Sequence, residues 1–299
     1  MSTSYAETPE TKGAPADKSG AGSRVELQAV TKIYGDGPLA KLVVDECSAV
    51  LEPGKVTVMV GPSACGKSSV AFLIAGYERA TKGKILLDGK GVGGPSWDRL
   101  VVFQESALLP WLTTYENIMF GPKARGFDKK QMKPRAEELL ERVGLREFRD
   151  KYPTQLSGGM QRRAELARAL INDPKVMILD EPFRGLDHMT RGLMQEYFSS
   201  LLEETPRTTL FITTDIDEAI YLADRLLIMT CIPTNVRAVI EVDLPRPRSR
   251  EDVLVDPRAN KIKEEALELL HEEAMKAFAG GSKAAADFVD AYMKRRGGE

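Results

Sequence analysis

Residues 61–69 read Gly61, Pro62, Ser63, Ala64, Cys65, Gly66, Lys67, Ser68 and Ser69, which fits G-x-x-x-x-G-K-[ST]. An apolar run, Val56 to Val60, leads into this segment, and a helix-forming run, Val70 to Ala75, leaves it. A strand, a glycine-bearing turn and a helix in that order make a phosphate-binding loop. Its backbone N–H groups and the helix N-terminus converge on anionic oxygens, and the helix dipole favours their charge. Gly61 and Gly66 permit backbone paths that a Cβ would obstruct. Lys67 supplies a cation for the β- and γ-phosphates, and the Ser68 hydroxyl is a ligand for Mg²⁺. The segment predicts a chain built to bind a nucleoside triphosphate.

Two further motifs follow. Leu156-Ser157-Gly158-Gly159-Met160-Gln161 precedes a helical stretch from Arg162 to Leu170. Val176 to Asp180 is an apolar strand that ends in Asp180 and Glu181. With these in order, the chain resembles the ATP-binding cassette (ABC) family from about Val25 to Val242, and the signature LSGGMQ is the most specific part of the match. The resemblance implies an α/β fold of the P-loop NTPase ABC type. Such a fold has a parallel-sheet core, an antiparallel β lobe and a helical subdomain that carries the signature.

Periodicity agrees with that class. Val25, Leu27, Val43, Val44 and Val50 suggest a strand-rich first lobe. Met132, Ala136, Leu139, Leu140 and Val143 fall at helical spacing, so Lys129 to Val143 is expected to be an amphipathic helix. Strands and helices then alternate through residue 229, which predicts a parallel sheet with ligand at the strands' C-terminal ends. Residues 1–23, poor in large apolar side chains, are expected to form a disordered tail. Residues 24–244 are expected to form the ATP-binding domain, with its helical subdomain at about 105–165. Residues 245–299 read as a helical extension: a basic connector from Pro245 to Arg250, one helix around Ile262 to Leu270, and a second from Ala284 to Arg296.

Composition narrows the function. The 299 residues are 42% hydrophobic, enough for one large domain with a small appendage. A net charge of −2 gives no nucleic-acid footprint. No apolar run is long enough to span a bilayer and no signal core precedes residue 24. The chain is therefore expected to be cytosolic, with any membrane association through a partner; the resemblance implies a peripheral place at the cytoplasmic face of the cell (inner) membrane. Cys47, Cys65 and Cys231 are too scattered for a disulfide framework. Cys65 lies near Lys67 and a helix N-terminus, where a thiolate is favoured; the plainer reading is a small residue tolerated in a loop that works through its backbone.

The remaining roles are implied by the resemblance. Tyr34 matches the aromatic that stacks on adenine. Gln104 matches the glutamine that senses Mg²⁺ and the attacking water. Asp180 matches the residue that holds Mg²⁺, and Glu181 the base that polarises the water. Ser157 and Gly159 match signature residues that contact the γ-phosphate bound by an opposing cassette, in a head-to-tail homodimer or heterodimer. Gly158 and Gly159 let the helix N-terminus approach it, and Gln161 belongs to the same nucleotide-binding set. The sequence also departs from the pattern. Ala64 stands where glycine is usual, and Ser69 where threonine is common. Thr214, in Thr213-Thr214-Asp215, occupies the position of the switch histidine. The two histidines, His188 and His271, lie elsewhere.

About fifty residues separate Gln104 from Ser157, enough for a helical subdomain and too few for a coiled-coil arm. One phosphate loop and no fused membrane domain point to an importer's separate ATPase subunit. The run Gln104 to Ile118, with Leu108, Leu109, Pro110, Trp111 and Leu112, resembles the nitrate, sulfonate, taurine and bicarbonate group of bacterial importers. Its expected partners are integral membrane permease subunits, with a periplasmic or lipid-anchored solute-binding protein. These apolar residues either grip a permease helix or fill the subdomain's own core. Thr214 keeps other readings open: a weakly hydrolysing, ATP-gated regulatory protein, or the less active half of an unequal heterodimer.

Overall fold

The computed structural model describes residues 22–279. Strands β1 (Val25–Tyr34) and β2 (Lys41–Leu51) pair antiparallel, and β3 (Val56–Val60) leads to helix α1 (Lys67–Ala75). Strands β4 (Lys82–Leu87) and β5 (Lys90–Gly91) complete an antiparallel sheet in the order β2-β1-β4-β5. After β6 (Arg99–Val102) the chain builds a helical subdomain from α2 (Thr114–Ala124), α3 (Lys129–Arg142) and α4 (Gly158–Leu170). It then alternates through β7 (Val176–Asp180), α5 (His188–Glu204), β8 (Thr208–Thr213), α6 (Ile216–Leu222), β9 (Arg225–Met229) and β10 (Val236–Glu241). Helices α7 (Arg250–Val255) and α8 (Pro257–Ala279) follow.

The second sheet has the order β10-β9-β3-β8-β7-β6 and is parallel except for β10. Its inner strands β3, β7 and β8 are buried along both faces, as a sheet covered on both sides requires. Alternation sends neighbouring side chains to opposite cores. Val56, Val58 and Val60 join Met177 and Leu179 in a core shared with α4, α5 and α6. Met59, Val176 and Ile178 join β1, β2 and α1 in the other.

Three local features differ from the sequence reading. Helix α4 begins at Gly158, four residues before Arg162, because the Ser157 hydroxyl caps it by accepting the Met160 N–H at 3.3 Å. The basic connector is also no loose linker. Arg248 is 8% exposed, and its guanidinium donates to the carbonyls of Ile220, Tyr221, Ala223, Val242 and Leu244. It thereby satisfies orphan carbonyls at the C-terminus of α6, and Ser249 caps α7 directly behind it. Finally, Ser23 is buried, its carbonyl accepting from Thr208 Oγ1 at 2.7 Å. Residues 1–21 of the expected tail and the helix expected at Ala284–Arg296 lie outside the described residues.

Candidate nucleotide site

Four adjacent parallel strands, β3, β8, β7 and β6, deliver the candidate residues to one edge of the sheet. Val60 is in register with Thr213, Asp180 with Ile212, and Val102 with Leu179. Beyond those ends stand the phosphate loop, Thr214, Glu181 and Gln104. This is the edge where open α/β sheets bind ligands.

The loop's shape depends on its backbone. Gly66 has φ +99°, and a Cβ there would collide with Thr234 Oγ1 and stand 3.2 Å from Val43 Cγ1. Only glycine meets both conditions. Ala64 is also left-handed, at φ +58°, which is why glycine is the ordinary choice there and why this alanine is strained. Lys67 is buried, and its Nζ donates to Gly61 O at 2.9 Å and Pro62 O at 2.7 Å. The ammonium is thus held within the loop. Cys65 is buried too, with Sγ 3.7 Å from Lys67 Nζ. Burial raises its pKa more than Lys67 lowers it, so the residue is a neutral thiol and not a thiolate.

Asp180 ends β7 at 6% exposure. Burial pushes its carboxyl up from the usual aspartate range, with Glu181 adding to the rise, against a hydrogen bond from Ser68 and the charge of Lys67. A buried carboxylate beside a serine hydroxyl is an all-oxygen donor set of the kind Mg²⁺ takes. Glu181 is left-handed at φ +43°; its N–H donates to Ile212 O at 2.9 Å, and its carboxylate pairs with Arg184 at 2.9 Å. A non-glycine residue held in that region marks a constrained position at a site.

The other candidates are spread around this edge. The Tyr34 hydroxyl bonds to Ser69 Oγ at 3.3 Å, and Lys32 Nζ lies 4.6 Å from the ring centroid. Gln104 and Thr214 are exposed. Ser157 and Gly158 are exposed at the N-terminus of α4, whereas Gly159 is buried against Thr190 of α5. The Gln161 amide donates to Pro153 O and Leu156 O, so it braces the turn ahead of α4. In the apolar run, Leu108 is 8% exposed and joins the core, while Trp111 is 69% exposed. The two therefore divide: one is packing, the other surface. Asn117 fixes the turn between them, accepting from Leu109 N and donating to Leu109 O and Leu112 O.

The sequence reading missed one buried network. Arg162 and Glu165, 7% and 3% exposed, pair at 2.6 Å within α4. Arg162 donates to the carbonyls of Phe103 and Gln104, each at 2.7 Å. Glu165 accepts from Ala107 N–H, and Arg168 donates to Ala107 O at 2.7 Å. These residues bind the Gln104 loop to the signature helix. The i, i+3 spacing of Arg162 and Glu165, and again of Glu165 and Arg168, is the signal that could have shown each pair as neighbours on α4.

Comparisons with known proteins agree with this geometry. Residues 44–184 match the family described as ABC transporter. The chain is 39% identical over 251 residues to a bicarbonate transport ATP-binding protein of Synechococcus elongatus, covering 82% of this chain and 89% of that one. It is 40% identical over 226 residues to an aliphatic sulfonates import ATP-binding protein of Bacillus cereus, covering 76% and 89%. Among solved structures it resembles a dimeric, post-hydrolysis ATP-binding cassette bound to ADP and Pi. The TM-score is 0.65 at 27% identity, over 74% of this chain and 100% of that one.

Proposed function

The chain belongs to the ABC transporter family, and from that premise we infer that it is the ATPase subunit energising an importer of a small oxyanion. The carrying observation is the convergence of the phosphate loop, Asp180-Glu181, Thr214 and Gln104 at the ends of four adjacent strands. Solutes of the nitrate, sulfonate, taurine or bicarbonate type fit the relatives' named cargoes of bicarbonate and aliphatic sulfonates.

In this reading the loop amides and Lys67 hold the phosphates, and Tyr34 offers adenine the ring face opposite Lys32. Ser68 and Asp180 would hold Mg²⁺, with Gln104 at its edge; the bound ion neutralises phosphate charge. Glu181 polarises the water once its contact with Arg184 opens. Ser157 and Gly158, exposed on α4, meet the γ-phosphate of an opposing cassette, while Gly159 and Gln161 shape that helix end. Peripheral association runs through permease subunits at the cytoplasmic face, with Trp111 as the apolar contact. Among the described residues no helix is long and apolar enough to cross a membrane.

Thr214 supports a second reading, a slowly hydrolysing cassette paired with a more active one. Turnover by the purified chain, alone and in proteoliposomes with its permease and solute-binding protein, tests both. Stimulation by permease and solute is expected. Turnover that stays flat in the full assembly sinks the importer reading.

A further inference from the structure

Helices α5, α6, α7 and α8 surround a cavity of about 210 Å³ that reaches Asp215, the residue after Thr214. Its floor is built from buried groups. Gln195 and Glu218, 3% and 6% exposed, hydrogen-bond at 2.7 Å. Tyr221 and Ala259 line the same floor, and Leu254 adds apolar surface.

The rim holds cations whose donors are only partly used. Lys263 pairs with Asp217 at 2.6 Å. The Asp215 carboxylate is committed to capping α6, accepting the N–H groups of Asp217 and Glu218, and lies 3.9 Å from Arg191. Arg191 donates through Nη2 to Leu186 O, yet its Nε is buried without an acceptor among the described residues. The Arg250 side chain makes no hydrogen bond or salt bridge among the described residues, and its charge acts on the Tyr221 hydroxyl. Its guanidinium lies on Gly192, where a Cβ would collide with it. Unused donors in a partly apolar cavity call for an acceptor ligand with a short carbon body. The volume is below the roughly 300–1,000 Å³ of drug-sized pockets, so the ligand is small.

We propose that this cavity is a regulatory site for a small organic oxyanion, a short-chain sulfonate or carboxylate, held by Arg250 and Arg191. Asp215 on its rim directly follows Thr214. An anion here joins α7 and α5 across α6. It restrains the Thr214 segment through Asp215 and slows turnover.

The test uses propanesulfonate against sodium chloride at equal ionic strength, by calorimetry on the full chain. A Lys67→Ala background removes anion binding by the phosphate loop. Propanesulfonate is expected to bind in that background, with affinity falling about tenfold in Arg250→Ala and partly restored in Arg250→Lys. With Lys67 intact, saturating propanesulfonate should lower ATP turnover about fivefold, and Arg250→Ala should abolish that effect without changing basal turnover. Binding that vanishes with Lys67→Ala belongs to the phosphate loop and overturns the proposal. So does binding indifferent to Arg250→Ala, or binding that leaves turnover unchanged. The calorimetric arm requires no hydrolysis, so it stands apart from the ATPase reading.

Discussion

At position 214 an exposed threonine stands where the resemblance implies an imidazole. In the proposed function Thr214→His would add a donor to the transition state, whereas ground-state binding would already rest on Lys67 and the loop amides. Turnover should rise roughly tenfold, equivalent to about 1.4 kcal/mol, with unchanged nucleotide affinity. An inert variant would mean that the site is slow for another reason. Glu218 gives a second residue-level prediction. Burial pushes its carboxyl above the usual glutamate range, against hydrogen bonds from Thr213 and Gln195. The folded chain therefore holds this proton to higher pH than the unfolded chain does. Its contribution to stability is complete below the unfolded pKa and is lost as pH rises through the folded one. Glu218→Gln keeps the shape without the charge. Its melting temperature should exceed the parent's by a margin that grows from about pH 4 upward. A margin independent of pH would contradict the assignment.

Among the elements, α4 connects the two ends of the candidate site, its capped N-terminus and the Gln104 loop. Glu165→Ala strands Arg162 in the core, and removing one partner of a buried pair costs about 3–5 kcal/mol. Chemical denaturation should show that loss; a change within about 0.5 kcal/mol would mean the pair is dispensable. Trp111→Ala should behave in the opposite way. The exposed ring leaves stability within about 0.5 kcal/mol, while permease binding weakens by about 2 kcal/mol or more. A marked drop in melting temperature would return Trp111 to the core. These elements also show what the sequence made legible. Strands β3 and β7 and helix α3 were readable because apolar periodicity reports burial directly. The start of α4 was not, since two glycines signal a turn unless the Ser157 cap is seen. Arg248 read as a charge on a connector, because a guanidinium buried among five carbonyls has no one-dimensional pattern. The Arg162–Glu165 pair was hidden likewise: its partners, Phe103, Gln104 and Ala107, lie about sixty residues away.

For the whole molecule, Ser157 and Gly158 present an exposed helix N-terminus, an anion-binding feature whose hydroxyl is occupied only by its own cap. The phosphate loop, Asp180 and Glu181 belong to the sheet edge instead. A second cassette, placed head to tail, would bring its Ser157 to the first one's γ-phosphate, so ATP would be part of the interface. Hydrolysis then weakens the dimer by removing the bridging charge. Glu181→Gln separates binding from chemistry: the amide cannot polarise water, yet the loop, Lys67 and Asp180 remain. With ATP and Mg²⁺ this variant should elute near twice the 33.0 kDa of one chain. Adding Lys67→Ala should return it to the single-chain position, since the phosphates lose their main cation. Lys67→Ala alone should bind ATP weakly in equilibrium dialysis. If Glu181→Gln stays monomeric at high concentration while still binding ATP, the site is not split between copies of this chain. A Glu181→Gln protein that dimerises only after a different cassette is added would instead assign the chain to an unequal pair.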